Sequence, residues 1–279
     1  MNRRGLALLG RVLASLGRVV GAVLVFLAAA APADAGLADR IAATFVPMAD
    51  DLVKAFQPIE GVVLDADGDR LYLDIGAERG AQVGQEFTVF RKGDAFYHPI
   101  TGKLLGRYED VLGYAQVRRA LPQLAEAVFI PVPGQARPRV EDGVRISRGR
   151  IKVAIAPVLD LTASAADVRR VPYLFAVLLE RSKRFQVVDP LVVSDTITTQ
   201  NVRVEELLAR PERAIPLGQT LEVSAWLVPI LLRRGNQTYL DTTWVSAVTG
   251  TALFSRREIL QATNPTEEQR FPWEPLPED

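Results

Sequence analysis

No cysteine occurs anywhere in the 279 residues. That excludes disulfide staples, thiolate metal sites and a lipid-bearing amino-terminal cysteine, so the chain must be held together by its hydrophobic cores. Histidine is almost as scarce: His98 is the only one. A multi-histidine metal site is therefore ruled out, and a Ser-His-Asp arrangement has one possible base. Neither G-x-x-x-x-G-K-[ST] nor G-x-G-x-x-G occurs, so no phosphate-cradling loop is present. Excess charge is missing too, with 33 basic residues against 33 acidic ones. This balance leaves no basic footprint for nucleic acid and no attraction to an anionic membrane by net charge alone. Long apolar runs are also lacking. Val19–Ala31 is uncharged over thirteen residues, short of the about 20 that span a bilayer.

That run belongs to an amino terminus with the layout of a secretory signal peptide. Arg3, Arg4, Arg11 and Arg18 form a long cationic region before the apolar core. Ala33-Asp34-Ala35 supplies small residues for cleavage before Gly36. Residues 1–35 are expected to direct export and be removed, the alternative being a retained anchor. Setting aside their four arginines and one aspartate leaves 29 basic and 32 acidic residues, a mildly acidic mature protein.

Beyond it, residues 36–57 carry Leu37, Ile41, Phe45, Met48, Leu52 and Phe56 at spacings of three and four, one stripe on a helix face. Pro47 is expected to kink or split that helix. The stripe packs on the domain that follows or docks a partner. Twelve of the twenty glycines then fall between Gly61 and Gly149. Short apolar runs alternate with these turn signals, which predicts strands near Ile59–Leu64, Arg70–Ile75, Glu86–Arg91, Asp110–Arg119, Ala125–Val132 and Gly143–Arg148. A set this short and glycine-rich closes most easily as a small antiparallel barrel over residues 58–149.

From about Arg150 the rhythm changes. Strands at Ile151–Pro157 and Phe185–Asp189 alternate with helices at Ala166–Ser182 and Pro190–Gln200. Short helices follow at Val204–Leu208 and Pro216–Leu221. Strands at Val223–Leu232, Thr238–Val248 and Ala252–Ile259 then form a meander. The fold class is α+β: a small barrel-like domain, then an α/β domain with a mixed sheet over residues 150–261. The tail, residues 262–279, is rich in proline and acids and is expected to be disordered.

Few residues suggest chemistry. Asp65-Ala66-Asp67-Gly68-Asp69 superficially resembles a calcium loop, but its glycine falls at the fourth position rather than the sixth. A β-turn explains it better. His98, in a loop before Pro99, would need a carboxylate such as Asp94 or Glu109 to serve a hydrolase. Trp226, Tyr239 and Trp244 fall on the terminal meander. They are either core or an aromatic platform for sugar or peptide. No cofactor is implied.

The run Gly61-Val62-Val63, Leu73-Asp74-Ile75-Gly76, Arg79-Gly80-Ala81-Gln82-Val83-Gly84-Gln85-Glu86-Phe87-Thr88-Val89 and Pro99-Ile100-Thr101-Gly102-Lys103-Leu104-Leu105-Gly106 resembles the carboxy-terminal domain of flagellar assembly protein T. Val140-Glu141-Asp142-Gly143-Val144 stands where that family closes with G-D, Val144 replacing the acid. The resemblance covers roughly residues 58–149, and its motifs mark turns at Gly76, Gly80, Gly84, Gly102 and Gly106. More weakly, Val153-Ala154-Ile155-Ala156-Pro157, Phe185-Gln186-Val187-Val188-Asp189, Leu217-Gly218-Gln219-Thr220-Leu221 and Thr249-Gly250 resemble the amino-terminal fold of TolB. The middle domain of flagellar assembly protein T and the curli secretion lipoproteins share that fold. Here the domain order is inverted, and the cysteine that anchors the curli lipoproteins is missing.

What the resemblance implies is a non-enzymatic periplasmic scaffold or assembly factor. Its partners would be envelope or flagellar basal-body proteins, or further copies in a ring, with peripheral outer-membrane association. The alternative is a peptidoglycan- or polysaccharide-binding module using the meander aromatics.

Overall fold

A computed structural model describes residues 36–162 and 167–260. The expected signal peptide and the acidic tail lie outside the described residues.

The first helix, α1, is Leu37–Ala55. Its stripe buries Ile41, Phe45, Met48 and Leu52, as the spacing requires. Pro47 lies inside it, so of the two expected outcomes the split does not occur. Both Pro47 and Ala43, whose carbonyl loses its partner at a proline four residues on, sit on the exposed face, where water replaces the missing donor.

Six strands follow: β1 Ile59–Asp67, β2 Arg70–Leu73, β3 Glu86–Tyr97, β4 Leu104–Ala120, β5 Ala125–Pro131 and β6 Gly143–Ile146. They pair antiparallel in the order β1-β2-β5-β4-β3-β6, and β6 returns onto β1, so the ladder closes into a barrel. Alternation sends Val63, Leu71, Leu73, Phe87, Val89, Ala115, Val117, Ala127 and Val144 inward. Bulges at Val63/Asp65, Val89/Phe90 and Val117/Arg119 provide the bends that closure needs. β3 and β4 run much further than expected, because their pairing continues past the barrel to the Tyr97–Leu104 level.

The second sheet contains β7 Ile151–Ile155, β9 Phe185–Val187, β10 Ala225–Arg234, β11 Gln237–Ser246 and β12 Ala252–Ile259, in the order β12-β11-β10-β7-β9, with the short β8 Leu159–Asp160 on β10. β7 is parallel to β9 and β10, and β10–β11–β12 is an antiparallel meander. The result is α+β with one mixed sheet. Helices are α2 Val171–Arg181, α3 Pro190–Thr199, α4 Val204–Ala209 and α5 Pro211–Leu221. α5 starts at Pro211 rather than Pro216, which lies inside it on the exposed face. Asp189 caps α3 by accepting from the Leu191 N–H.

Both faces of the strands β7, β10 and β11 are largely buried, and period-2 alternation sorts them. Val153, Ile155, Ala225, Leu227 and Trp244 join α1, α2 and the barrel interior in one continuous core. Ala154, Ala156, Trp226, Val228 and Val245 face the other way, under α3, α4 and α5. The stripe of α1 packs chiefly beyond the barrel that it precedes. Phe45 stacks on Phe175 of α2 at 3.7 Å, and Phe56 meets Phe185, Trp244 and Phe254.

Gly84 shows how closely the two sheets approach. It has φ +89°, and a Cβ there would lie 2.3 Å from the Leu253 carbonyl oxygen of β12. Gly84→Ala is therefore expected to cost about 3 kcal/mol, combining left-handed strain with a backbone clash. Gly80→Ala, at φ +95° but in open space, should cost about 1 kcal/mol. Equal losses in urea unfolding would contradict this packing.

Candidate functional site

The residues that suggested chemistry are occupied structurally. Asp67 stands opposite Arg70 in the β1–β2 register, Asp65 accepts from the Ala66 N–H, and Asp69 forms an ion pair with Arg137. No cluster of metal-ligating side chains exists among the described residues. His98 Nδ1 accepts from the Ile100 and Thr101 N–H groups, each at 3.2 Å. Glu109, its possible acid, instead takes Arg145 Nη2 at 2.6 Å. The hydrolase arrangement is not assembled.

The meander aromatics correct the platform expectation. Trp226 is 0 % exposed and donates Nε1–H to the Ala214 carbonyl, while Trp244 is 1 % exposed beneath Phe56 and Phe185. Tyr239 is half-buried and donates to Gln237. With both tryptophans in the core, these three residues do not form an exposed aromatic platform. Of the motif glycines, Gly76 precedes the 3-10 turn Ala77–Arg79 and Gly80 follows it. Gly84 abuts β12, and Gly102 lies in the β3–β4 turn at φ +63°. Gly106 is not a turn residue: it sits inside β4, opposite Phe96, whose ring lies where its side chain would be.

Polar contacts lock the sheets to each other. The Glu86 carboxylate of β3 accepts from Ser246 Oγ at 2.8 Å, Thr249 Oγ1 at 2.9 Å and Gln116 Nε2 at 2.9 Å. Burial, helped by the Glu86 charge, pushes the nearby Tyr114 phenol up from its ordinary value. Arg184, immediately before β9, is buried and has no acidic partner among the described residues. It donates to the carbonyls of Phe56, Gly149 and Ser147, joining the end of α1 to the barrel's exit strand. Desolvation holds its guanidinium below the usual arginine value. It remains a cation, since arginine does not deprotonate in proteins.

Against this locked body one element stands free. β6 pairs with β3 only at Thr88–Phe90, and β5 pairs with β4 only from Gly113 onward. Residues 91–97 and 104–110 therefore pair only with each other, as a two-stranded arm. Its base is fixed by ion pairs. Arg91 Nε and Nη2 bind the buried Asp142 carboxylate at 2.8 and 2.7 Å, and Arg145 holds Glu109. Beyond them Phe96, Tyr97, Ile100, Leu104, Leu105 and Tyr108 are all exposed, Ile100 by 89 %. Phe96 and Tyr108 touch, with ring centroids 5.2 Å apart. His98 N–H to Lys103 O and Gly102 N–H to His98 O, at 2.8 and 2.9 Å, order the turn.

Sequence reasoning missed this arm because Gly93 and Gly106 read as breaks. The available signal was the two apolar runs, Ala95–Tyr97 and Leu104–Leu105, flanking a Pro-Ile-Thr-Gly turn. A second exposed apolar surface lies between α2 and α3. There a cleft of about 310 Å³ is lined by Pro157, Val158, Pro172, Tyr173, Pro190 and Leu191.

No family model matches the sequence, and no curated protein matches it. Among solved structures, the chain is similar to the LpoB C-terminal domain from Escherichia coli, at 13% identity and TM-score 0.35, over 42% of this chain and 86% of that one. It is also similar to lipoprotein GNA1162 from Neisseria meningitidis, at 17% identity and TM-score 0.34, over 40% of this chain and 81% of that one. The flagellar assembly protein T resemblance finds no support in these comparisons.

Proposed function

We propose that this protein is a non-enzymatic scaffold or assembly factor of a bacterial envelope, exported to the periplasm and acting by docking. The observation that carries this reading is the exposed apolar cleft between α2 and α3, together with an arm whose six exposed apolar side chains are covered by nothing among the described residues. A two-stranded ribbon is marginal alone in water, and an exposed apolar surface of this kind marks an interaction site. The body behind it is rigid, which suits a scaffold. A protein partner would dock at the cleft between α2 and α3, where three prolines line a preformed apolar surface. The amino-terminal signal pattern supports export. The flagellar basal body, suggested by the motifs of residues 58–149, is the finer form of the proposal.

A photo-crosslinking amino acid at Tyr173, followed by mass spectrometry of intact cells, tests it. Recovery of one or a few envelope proteins is expected, with basal-body components favouring the finer form. Yields no higher than those from the buried position Trp226 would overturn the scaffold reading.

A further inference from the structure

We propose that the distal half of the β3–β4 hairpin inserts into the interface of an anionic lipid bilayer. This rests on reading the arm as a docking element and names what it docks to. Three features point to lipid rather than to a protein groove. The first is a polarity gradient along the arm. At its base the cross-strand pairs are charged, Arg91 with Asp110 and Lys92 with Glu109. Beyond it Phe96 stands opposite Gly106 and Tyr97 opposite Leu104, with Ile100 in the turn, so the arm passes from charged at its base to apolar toward its tip. Tyrosine rings sit at headgroup level in proteins that meet a membrane surface.

The second is that apolar groups occupy both faces. Phe96 and Tyr97 are neighbours on one strand and so point to opposite sides, yet both are exposed. A groove would cover one side, whereas an interfacial layer surrounds the tip. The third is charge. Beyond Asp94, which lies level with Tyr108, the arm contains Lys103 and Arg107 and no acid, whereas the whole chain is neutral. These cations complement anionic headgroups, and lysine and arginine stems reach the headgroup level while burying their methylenes.

Length sets the mode of contact. At about 3.3 Å per residue, Ala95–Tyr97 and the turn reach roughly 10 Å, which matches an interfacial depth of about 5–10 Å. A spanning strand needs about 9–11 residues, more than residues 91–97 provide. The arm dips into the membrane surface and does not cross it.

The lack of cysteine makes the test direct. Ile100→Cys in the full chain carries a single environment-sensitive nitrobenzoxadiazole label. Vesicles of phosphatidylethanolamine with about 30 % phosphatidylglycerol should float the protein and raise the label's emission severalfold, while phosphatidylcholine vesicles should bind it far more weakly. Lys103→Gln with Arg107→Gln should weaken binding about 25-fold, since each basic residue contributes about fivefold. The unlabelled Ile100→Asp/Leu104→Asp variant should not float, although it keeps the same amino terminus and should keep the parent's circular dichroism.

Flotation without a change in label emission, or flotation that survives Ile100→Asp/Leu104→Asp, would assign binding to another surface and overturn the proposal. Failure to float on anionic vesicles would do the same. A photo-crosslinker at Leu104 that captures a protein in cells would replace lipid with that protein. None of these outcomes touches the Tyr173 experiment, whose failure alone removes the scaffold reading.

Discussion

Arg184→Ala is expected to destabilise the fold by about 3–5 kcal/mol, because three carbonyls lose a charged donor and such hydrogen bonds contribute about 1.5–3 kcal/mol each. The side chain is 7 % exposed and donates to three carbonyls, those of Phe56, Ser147 and Gly149. Alanine would leave all three without their donor, and an unmade buried hydrogen bond costs about 1–3 kcal/mol. Arg184→Lys retains the charge but replaces a planar fork with one point, so it should recover only part of the loss. The midpoint of thermal unfolding should fall by roughly 10 °C for the alanine variant at this chain length. A loss within about 0.5 kcal/mol, the range of ordinary surface substitutions, would show that these contacts do not hold the sheets together.

Phe45→Ala should cost a similar amount, about 3–5 kcal/mol, from lost burial and an unfilled cavity. Phe45 is fully buried and its ring lies 3.7 Å from that of Phe175, nearly parallel at 10°. Phe175→Ala and the double variant complete a cycle whose coupling should reach about 1 kcal/mol for the stacked pair. The same measurement decides what the helix stripe does. If it were a partner-docking face, Phe45→Ala would leave the isolated protein's unfolding midpoint unchanged while abolishing association.

The barrel strands could be read from sequence because each reversal is encoded locally. Gly68, Gly80 and Gly102 occupy left-handed positions that few other residues adopt cheaply. The arm could not, since Gly106 looks like a break in isolation. Only the cross-strand register reveals that Phe96 fills its missing side chain. The choice between core and platform for Trp226 and Trp244 stayed open for a different reason. Alternation sorts residues between two faces but does not say whether either face is open, and here helices and barrel cover both. Arg184 left no trace at all in the sequence pattern. Its role is set by carbonyl groups, which every residue carries, brought to it from far along the chain.

That distance has a kinetic consequence. The Arg184–Phe56 contact joins residues 128 positions apart, and the stripe of α1 is closed by α2, β11 and β12, all beyond the barrel. Contacts so distant in sequence make folding slow, because the intervening chain must be organised before they form. As the chain emerges amino terminus first, its opening helix is finished well before the surface that covers it exists. Until α2 and the meander arrive, Ile41, Phe45 and Met48 face water, and this interval is when the nascent chain is most prone to aggregate.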